Sequence, residues 1–343
     1  VGVLGLAMLL AMGLVVALLL ATAGTAWFLT RPIRRTYASA ISRGRPGEPG
    51  ELRPMLGCSA PGASDWPRNF DAWSFAFRGV DLPVWRIPGD DPSGPIVILS
   101  HGWGDSRIGA LARVQTLAMA SRACILWDMP GHGDARGTCA LGTREVDALR
   151  TLIGHIREID GRADGSGSTN TTEAPTPLVL YGWSMGAGVS IAAATGSGEP
   201  AARGDALVGV IAEAPYRHAR TPAANVLRST ALPRWPSLDL ALAMLGIEFG
   251  VGARWRGFDR AALARSLGCP LLVIHGADDE VCPLDDARAI ADAASAARGG
   301  RLVVVPGGTH LNLWSGPAPW STPHAGEVLA FLRSASAGRG GGP

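Results

Sequence analysis

No lysine occurs anywhere in the 343 residues, so all 31 side chains counted as Lys or Arg are arginines. That absence excludes a P-loop lysine, a Schiff-base lysine for pyridoxal phosphate and a Ser-Lys pair. Cysteine is scarce and scattered: Cys58, Cys124, Cys139, Cys269 and Cys282 are odd in number and form no CxxC. Zinc or dithiol redox chemistry has no framework there. The five read as free thiols, which suit a reducing compartment better than an exported one. Charge is sparse as well, at 17% of residues with a net of +2. The one basic block is the short "RPIRR" at 31–35, too little for nucleic acid to be expected as a partner. There is no HExxH and no close His/Asp cluster outside turns, so no metal is expected. What remains is 47% apolar residues over a long chain, ample for a large core.

The apolar residues are unevenly spread. Residues 1–30, "VGVLGLAMLLAMGLVVALLLATAGTAWFLT", carry no charge and exceed the roughly 20 residues that cross a bilayer as a helix. Trp27 suits a membrane interface, and Arg31, Arg34 and Arg35 follow at once. The run reads as a single-pass transmembrane anchor. The competing reading is a cleaved signal peptide, with small residues at Ala21 and Ala23 or at Gly24 and Ala26; against it, the run is about twice the length of such a peptide's apolar segment. The positive-inside rule then puts the C-terminal domain on the cytoplasmic side of a cell membrane.

Residues 31–68 read as a tether, rich in Gly, Pro and polar residues from Ser42 to Pro67. Beyond them strand-like and helix-like segments alternate. Strands are expected at 71–77, 82–87, 95–100, 123–128, 177–182, 207–214, 270–276 and 301–307, and helices at 108–120, 144–159, after Ser184, 284–297 and 325–334. Parallel neighbours need crossover helices, so the expectation is an α/β fold with one doubly wound, mostly parallel sheet over 69–337. Residues 161–176 read as a flexible polar insertion and 338–343 as a disordered tail. The interval 215–269 has no strand signal and holds the apolar "LDLALAMLGIEF". It reads as a helical cap, with a pair of ordinary crossover helices as the alternative.

One segment raises a chemical question. In "LVLYGWSMGAGVSIA", Leu178 to Ala192, an apolar strand stops at Gly182, a serine sits two residues before Gly186, and a small-residue helix follows. So tight a strand-to-helix turn forces its central residue into strained geometry, tolerable where the flanking positions lack side chains. The strain lifts the Ser184 hydroxyl clear of the backbone and points the next amide at the same reacting atom. A serine hydroxyl is a weak nucleophile until an imidazole accepts its proton, and that imidazole needs a carboxylate to orient it. His310 and an acid at 278 or 279 follow Ser184 in chain order, each just past an apolar strand. Of the other histidines, His101 and His132 read as loop braces, and His155, His218, His275 and His324 lie elsewhere on helices, at the cap or at a strand end.

These segments resemble the α/β-hydrolase superfamily over about Pro95 to Arg333, and more closely its serine aminopeptidase-like and prolyl-oligopeptidase-like esterase branches. "SHGWGDS" (100–106) is similar to the oxyanion loop, "DMPGHGDA" (128–135) to the turn after the next strand, and "GWSMG" (182–186) to the nucleophile elbow. "HGADDEVCP" (275–283) resembles the acid loop and "GGTHLNLW" (307–314) the histidine loop. The resemblance implies a catalytic triad of Ser184, Asp279 and His310. It favours Asp279 over Asp278, with Glu280 third, and implies oxyanion donors from the amides of Trp103 and Met185. No cofactor is implied. The bulky Trp103 and Trp183 depart from the pattern beside the oxyanion position.

The expected activity is serine ester hydrolysis through an acyl-enzyme, and the apolar cap and anchor favour a lipophilic or acyl substrate. An aminopeptidase would share every motif but would need a cap carboxylate for a free amino terminus, Glu248 or Asp239. A thioesterase or acyltransferase, or a non-catalytic binding protein on the same fold, are the other readings. The oligomeric state is open.

Overall fold

Four apolar runs without alternation, Ile96–Ser100 (β3), Ala123–Trp127 (β4), Leu178–Trp183 (β5) and Leu271–Gly276 (β7), are buried at every position. Burial on both faces is what a parallel sheet sandwiched between helices demands. The computed structural model describes residues 2–52, 69–163, 176–195, 207–296, 299–315 and 322–337. With Asp71–Phe77 (β1), Val80–Pro88 (β2), Leu207–Glu213 (β6) and Gly300–Val305 (β8), the strands form one eight-stranded sheet. Its order is β1-β2-β4-β3-β5-β6-β7-β8. The pairs β1 with β2 and β2 with β4 are antiparallel; every later pair is parallel. The β1–β2 turn is Arg78-Gly79, both at positive φ, as a two-residue hairpin turn requires.

The chain leaves β3 for β4 on one side and later returns to place β5 on the other. Between β3 and β5 the winding direction reverses, and beyond the carboxyl ends of strands at such a switch an open crevice forms. Ser100 pairs with Gly182 there, so the segments after β3 and β5 emerge side by side.

Helices cover both faces. Arg144–Ala163 (α4), Met185–Thr195 (α5) and Leu284–Ser295 (α9) pack on one face through Leu149, Ile153, Val189 and Ile290. Arg107–Ala118 (α3) and Pro323–Ala337 (α10) pack on the other through Val114, Leu117, Val328 and Leu332. Between β6 and β7 lie Arg220–Leu227 (α6), Ser237–Glu248 (α7) and Arg260–Ala264 (α8). Asp259 caps α8 by accepting from the amides of Ala261 and Ala262 and is gripped by Arg217 at 2.7 Å.

The apolar N-terminal run is one helix, Val3–Thr30 (α1), long and apolar enough to cross a membrane. At 1.5 Å per residue it spans about 42 Å, more than the ~30 Å of a hydrocarbon core. Its C-terminal end packs on the rest of the protein: Thr22, Thr25, Leu29 and Thr30 are buried, α1 packs on α7, and Leu29 joins the core that α4 and α5 share. The next residues are not simply extended linker. Tyr37–Ile41 forms a short helix (α2) closed by a Thr36/Ser39 capping box, and Tyr37 donates to Glu51 at 2.5 Å. Residues 53–68, most of the 161–176 insertion and the 338–343 tail lie outside the described residues.

Candidate active site

Ser184 follows β5 directly and has φ of 54°, a left-handed conformation that costs a non-glycine residue on the order of 1 kcal/mol or more. The flanking glycines are steric necessities. A Cβ at Gly182 would be driven into the backbone of Gly186, and one at Gly186 into the carbonyls of Ser100 and His101. The turn is pinned by the Ser184 amide donating to the Glu213 carbonyl at 2.8 Å. Its own carbonyl accepts from Ala187 at 3.0 Å, opening α5.

His310 arrives from the loop after β8 and Asp279 from the loop after β7. The Nε2 of His310 lies 3.1 Å from the Ser184 hydroxyl, and its Nδ1 lies 2.8 Å from Asp279 Oδ2. A neutral ring donating from Nδ1 to the carboxylate presents its Nε2 lone pair to the serine. The other Asp279 oxygen accepts the amides of Val281 and Cys282, each at 2.8 Å. Burial pushes this carboxyl upward, yet the hydrogen bond and charge of His310 and the two amides outweigh it and leave its pKa below the ordinary value. Asp278 and Glu280 are exposed, and neither is bonded to His310. The two loops are held together where the Asp278 amide donates to Gly308 at 2.8 Å; a Cβ at Gly276 would strike that same carbonyl.

The oxyanion candidates sit beside the serine. Met185 opens α5, so its amide is among the N-terminal donors a helix leaves unpaired. Gly102, just before Trp103, would meet the Trp183 ring at 2.9 Å and Ser184 Cβ at 3.3 Å if it carried a Cβ. His101 steadies this loop: Nδ1 donates to the Gly102 carbonyl at 2.8 Å and Nε2 accepts the Met129 amide at 3.0 Å. Burial pushes His101 down to about 4, so the ring is neutral. His132 lies against it, ring centroids 4.9 Å apart. Trp103 lines the same cavity as the serine. Its indole donates to the Leu29 carbonyl of α1 at 2.8 Å and its ring lies 5.3 Å from Phe28. Asp105, in the same loop, pairs with Arg35 at 3.2 Å.

Sequence reasoning missed a buried brace behind the serine. Glu213, the last residue of β6, accepts from Arg113 at 2.7 and 2.5 Å, from Tyr181 at 2.5 Å and from the Trp314 indole at 3.0 Å. One carboxylate thereby ties α3, β5 and the histidine loop together. Arg113 in turn lies 4.9 Å over the Trp183 ring, whose other neighbour is His310 at 5.6 Å. The available signal was a lone carboxylate closing an otherwise apolar strand.

Ser184 and His310 open on a cavity of about 560 Å³, within the usual range for small-molecule sites. Its walls come from the end of α1, residues 33–43 after it, the loop holding Trp103 and Gly104, and α6. Among the described residues no Asp or Glu lines it. Asp239 is spent on Arg220 at 2.5 Å and Glu248 is exposed. One group of side chains has metal-ligand spacing among the described residues, Asp279, Cys282 and His310, with ligating atoms within 4.8 Å. It coincides with the relay, in which both His310 nitrogens are already engaged.

An open, mostly parallel sheet with a serine on a strand-to-helix elbow at the switch point defines the α/β-hydrolase architecture. The chain belongs to the alpha/beta hydrolase family, whose model matches residues 96–321. Among solved structures it is similar to an esterase of Pyrococcus furiosus at 18% identity and TM-score 0.59, covering 89% of this chain and 98% of that one. It is also similar to a bacterial membrane phospholipase A at 15% identity and TM-score 0.54, covering 97% of both chains. A Pyrococcus horikoshii acylaminoacyl peptidase matches at 14% identity and TM-score 0.52, covering 77% of this chain and 40% of that one. These likenesses are of fold. No curated protein sequence matches the chain.

Proposed function

We propose that the protein is a membrane-anchored serine hydrolase that cleaves a carboxylic ester through an acyl-enzyme. The reading is carried by one observation, the chain of contacts from Ser184 through His310 to Asp279. As the Ser184 oxygen attacks the ester carbonyl, His310 Nε2 takes its proton and Asp279 stabilises the resulting imidazolium. The amides of Trp103 and Met185 hold the oxyanion. His310 then returns the proton to the departing alcohol, and a water activated by the same ring frees the acyl group.

The cavity favours an ester over an aminopeptidase substrate. A free amino terminus needs an anionic partner, and the described wall offers arginines but no carboxylate. Anchoring is supported by the length and apolarity of α1. Arg31, Arg34 and Arg35 after it favour a cytoplasmic catalytic domain.

The test is fluorophosphonate labelling together with turnover of p-nitrophenyl esters of graded chain length. Wild type is expected to label at Ser184 and turn over; Ser184→Ala is expected to do neither. Folded wild-type protein that does not label would end the reading, and faster cleavage of aminoacyl arylamides than of esters would replace it with the peptidase.

A further inference from the structure

The cavity around Ser184 is built from two chemically opposite materials. Phe28 and Leu29 supply apolar wall from the end of α1, Ile33 from just beyond it, and Pro222, Ala223 and Val226 from α6. Between them stand Arg34, Arg35 and Arg43. Arg35 is held by Asp105. Arg34 and Arg43 are exposed at the rim, and among the described residues neither is paired with a carboxylate.

An apolar cavity with two guanidinium groups at its mouth that pair with no carboxylate among the described residues matches an amphiphile with an anionic head. Arginine's planar fork matches phosphate oxygens in pairs. Position supplies the source. The cavity begins at Phe28 and Leu29, where α1 ends and a bilayer surface would lie. Moreover α7, packed on α1, exposes Leu240, Met244 and Ile247, which at this spacing share one helix face.

We infer that the ester opened by Ser184 is an acyl glycerophosphate drawn from the membrane, its phosphate held by Arg34 and Arg43 and its chain by the apolar wall. This rests on the reading of Ser184 as an ester-cleaving nucleophile. Water adds across the acyl C–O bond, giving a fatty acid and the glycerophosphate alcohol, and no co-reactant besides water is needed.

The experiment compares kcat/KM for 1-palmitoyl lysophosphatidic acid and 1-monopalmitoylglycerol in neutral detergent micelles, using the full chain. Both substrates are measured on the same preparation, so their ratio is insensitive to partial misfolding. Wild type is expected to prefer the phosphate-bearing ester by about tenfold or more, as expected for charge-assisted contacts. The double variant Arg34→Gln/Arg43→Gln is expected to lower that ratio at least about tenfold, and Arg34→Lys/Arg43→Lys to restore part of it. Raising salt from about 0.05 to 0.5 M is expected to shrink the wild-type ratio by screening. A wild-type ratio near one, a ratio unchanged in the double Gln variant, or a preference for palmitoyl-CoA would overturn the inference while leaving the ester hydrolase standing. Absence of turnover on every ester, p-nitrophenyl esters included, would overturn both.

Discussion

The indole of Trp103, in the loop that carries a candidate oxyanion amide, donates a hydrogen bond to the carbonyl of Leu29 at 2.8 Å. Leu29 lies in the last turn of the apolar helix and is 2% exposed. The C-terminal end of α1 and the 100–106 loop are therefore one packed unit, reinforced by the Phe28 ring and by the Arg35–Asp105 pair. Trp103→Phe keeps the ring and deletes the donor, leaving a buried carbonyl short of a partner at a cost of about 1 to 2 kcal/mol. The expected result is a lower melting temperature and a several-fold fall in kcat on p-nitrophenyl esters. Unchanged values for both would show that the contact does not position the loop.

Ser184 stands at φ of 54° in a turn that only its neighbours' lack of side chains permits. Ser184→Gly is therefore expected to abolish turnover, by about 10⁴-fold or more, while gaining about 1 kcal/mol of stability over Ser184→Ala. Urea melts of the two variants decide it. Gly186→Ala, whose new methyl would collide with the Ser100 and His101 carbonyls, is expected to yield little folded protein.

Glu213 and Arg113 form a buried pair with side chains 1% and 9% exposed. Removing one partner strands the other's charge, so Arg113→Met is expected to cost about 3 to 5 kcal/mol. Arg113→Met/Glu213→Gln is expected to recover part of that loss, because the amide still accepts from Tyr181 and Trp314. A double variant no more stable than the single would contradict this account of the brace.

Burial holds four histidines below their ordinary value: His101, at about 4, with His132, His275 and His324. Below pH 6.5 the unfolded chain takes up protons that these rings refuse, so their linkage lowers stability as pH falls from 6.5 toward 4. Asp279, whose pKa is lowered, adds stability above 3.8 that is lost below it. Asp128, pushed up to about 6 by burial, and the raised Asp105 and Glu145 oppose the trend, but only as pH drops to their own range. The urea midpoint is expected to fall between pH 7 and pH 6. A midpoint that rises across that interval would contradict the assignment of neutral, buried rings.

What the sequence by itself determined was local and short-ranged. Largely apolar runs at 95–100, 123–128, 177–182 and 270–276 pointed to buried strands, and the helical segments between them to a mostly parallel sheet. The glycines at 182 and 186 announced a turn too tight for side chains, and the missing lysine removed whole mechanisms. Tertiary structure decided what depends on contacts between distant residues. The choice of Asp279 over Asp278 as the neighbour of His310 turns on how the β7 loop packs against the β8 loop, since the two carboxyls are adjacent in sequence. Glu213 gathers Arg113, Tyr181 and Trp314 from positions up to 101 residues away, and no periodicity encodes such a meeting. Likewise Trp103 and Leu29 are 74 residues apart. That α1 ends against the cavity of Ser184, with Arg34 and Arg43 at its rim, follows only once the sheet has gathered its strand ends at one edge and close packing has chosen which side chains face them.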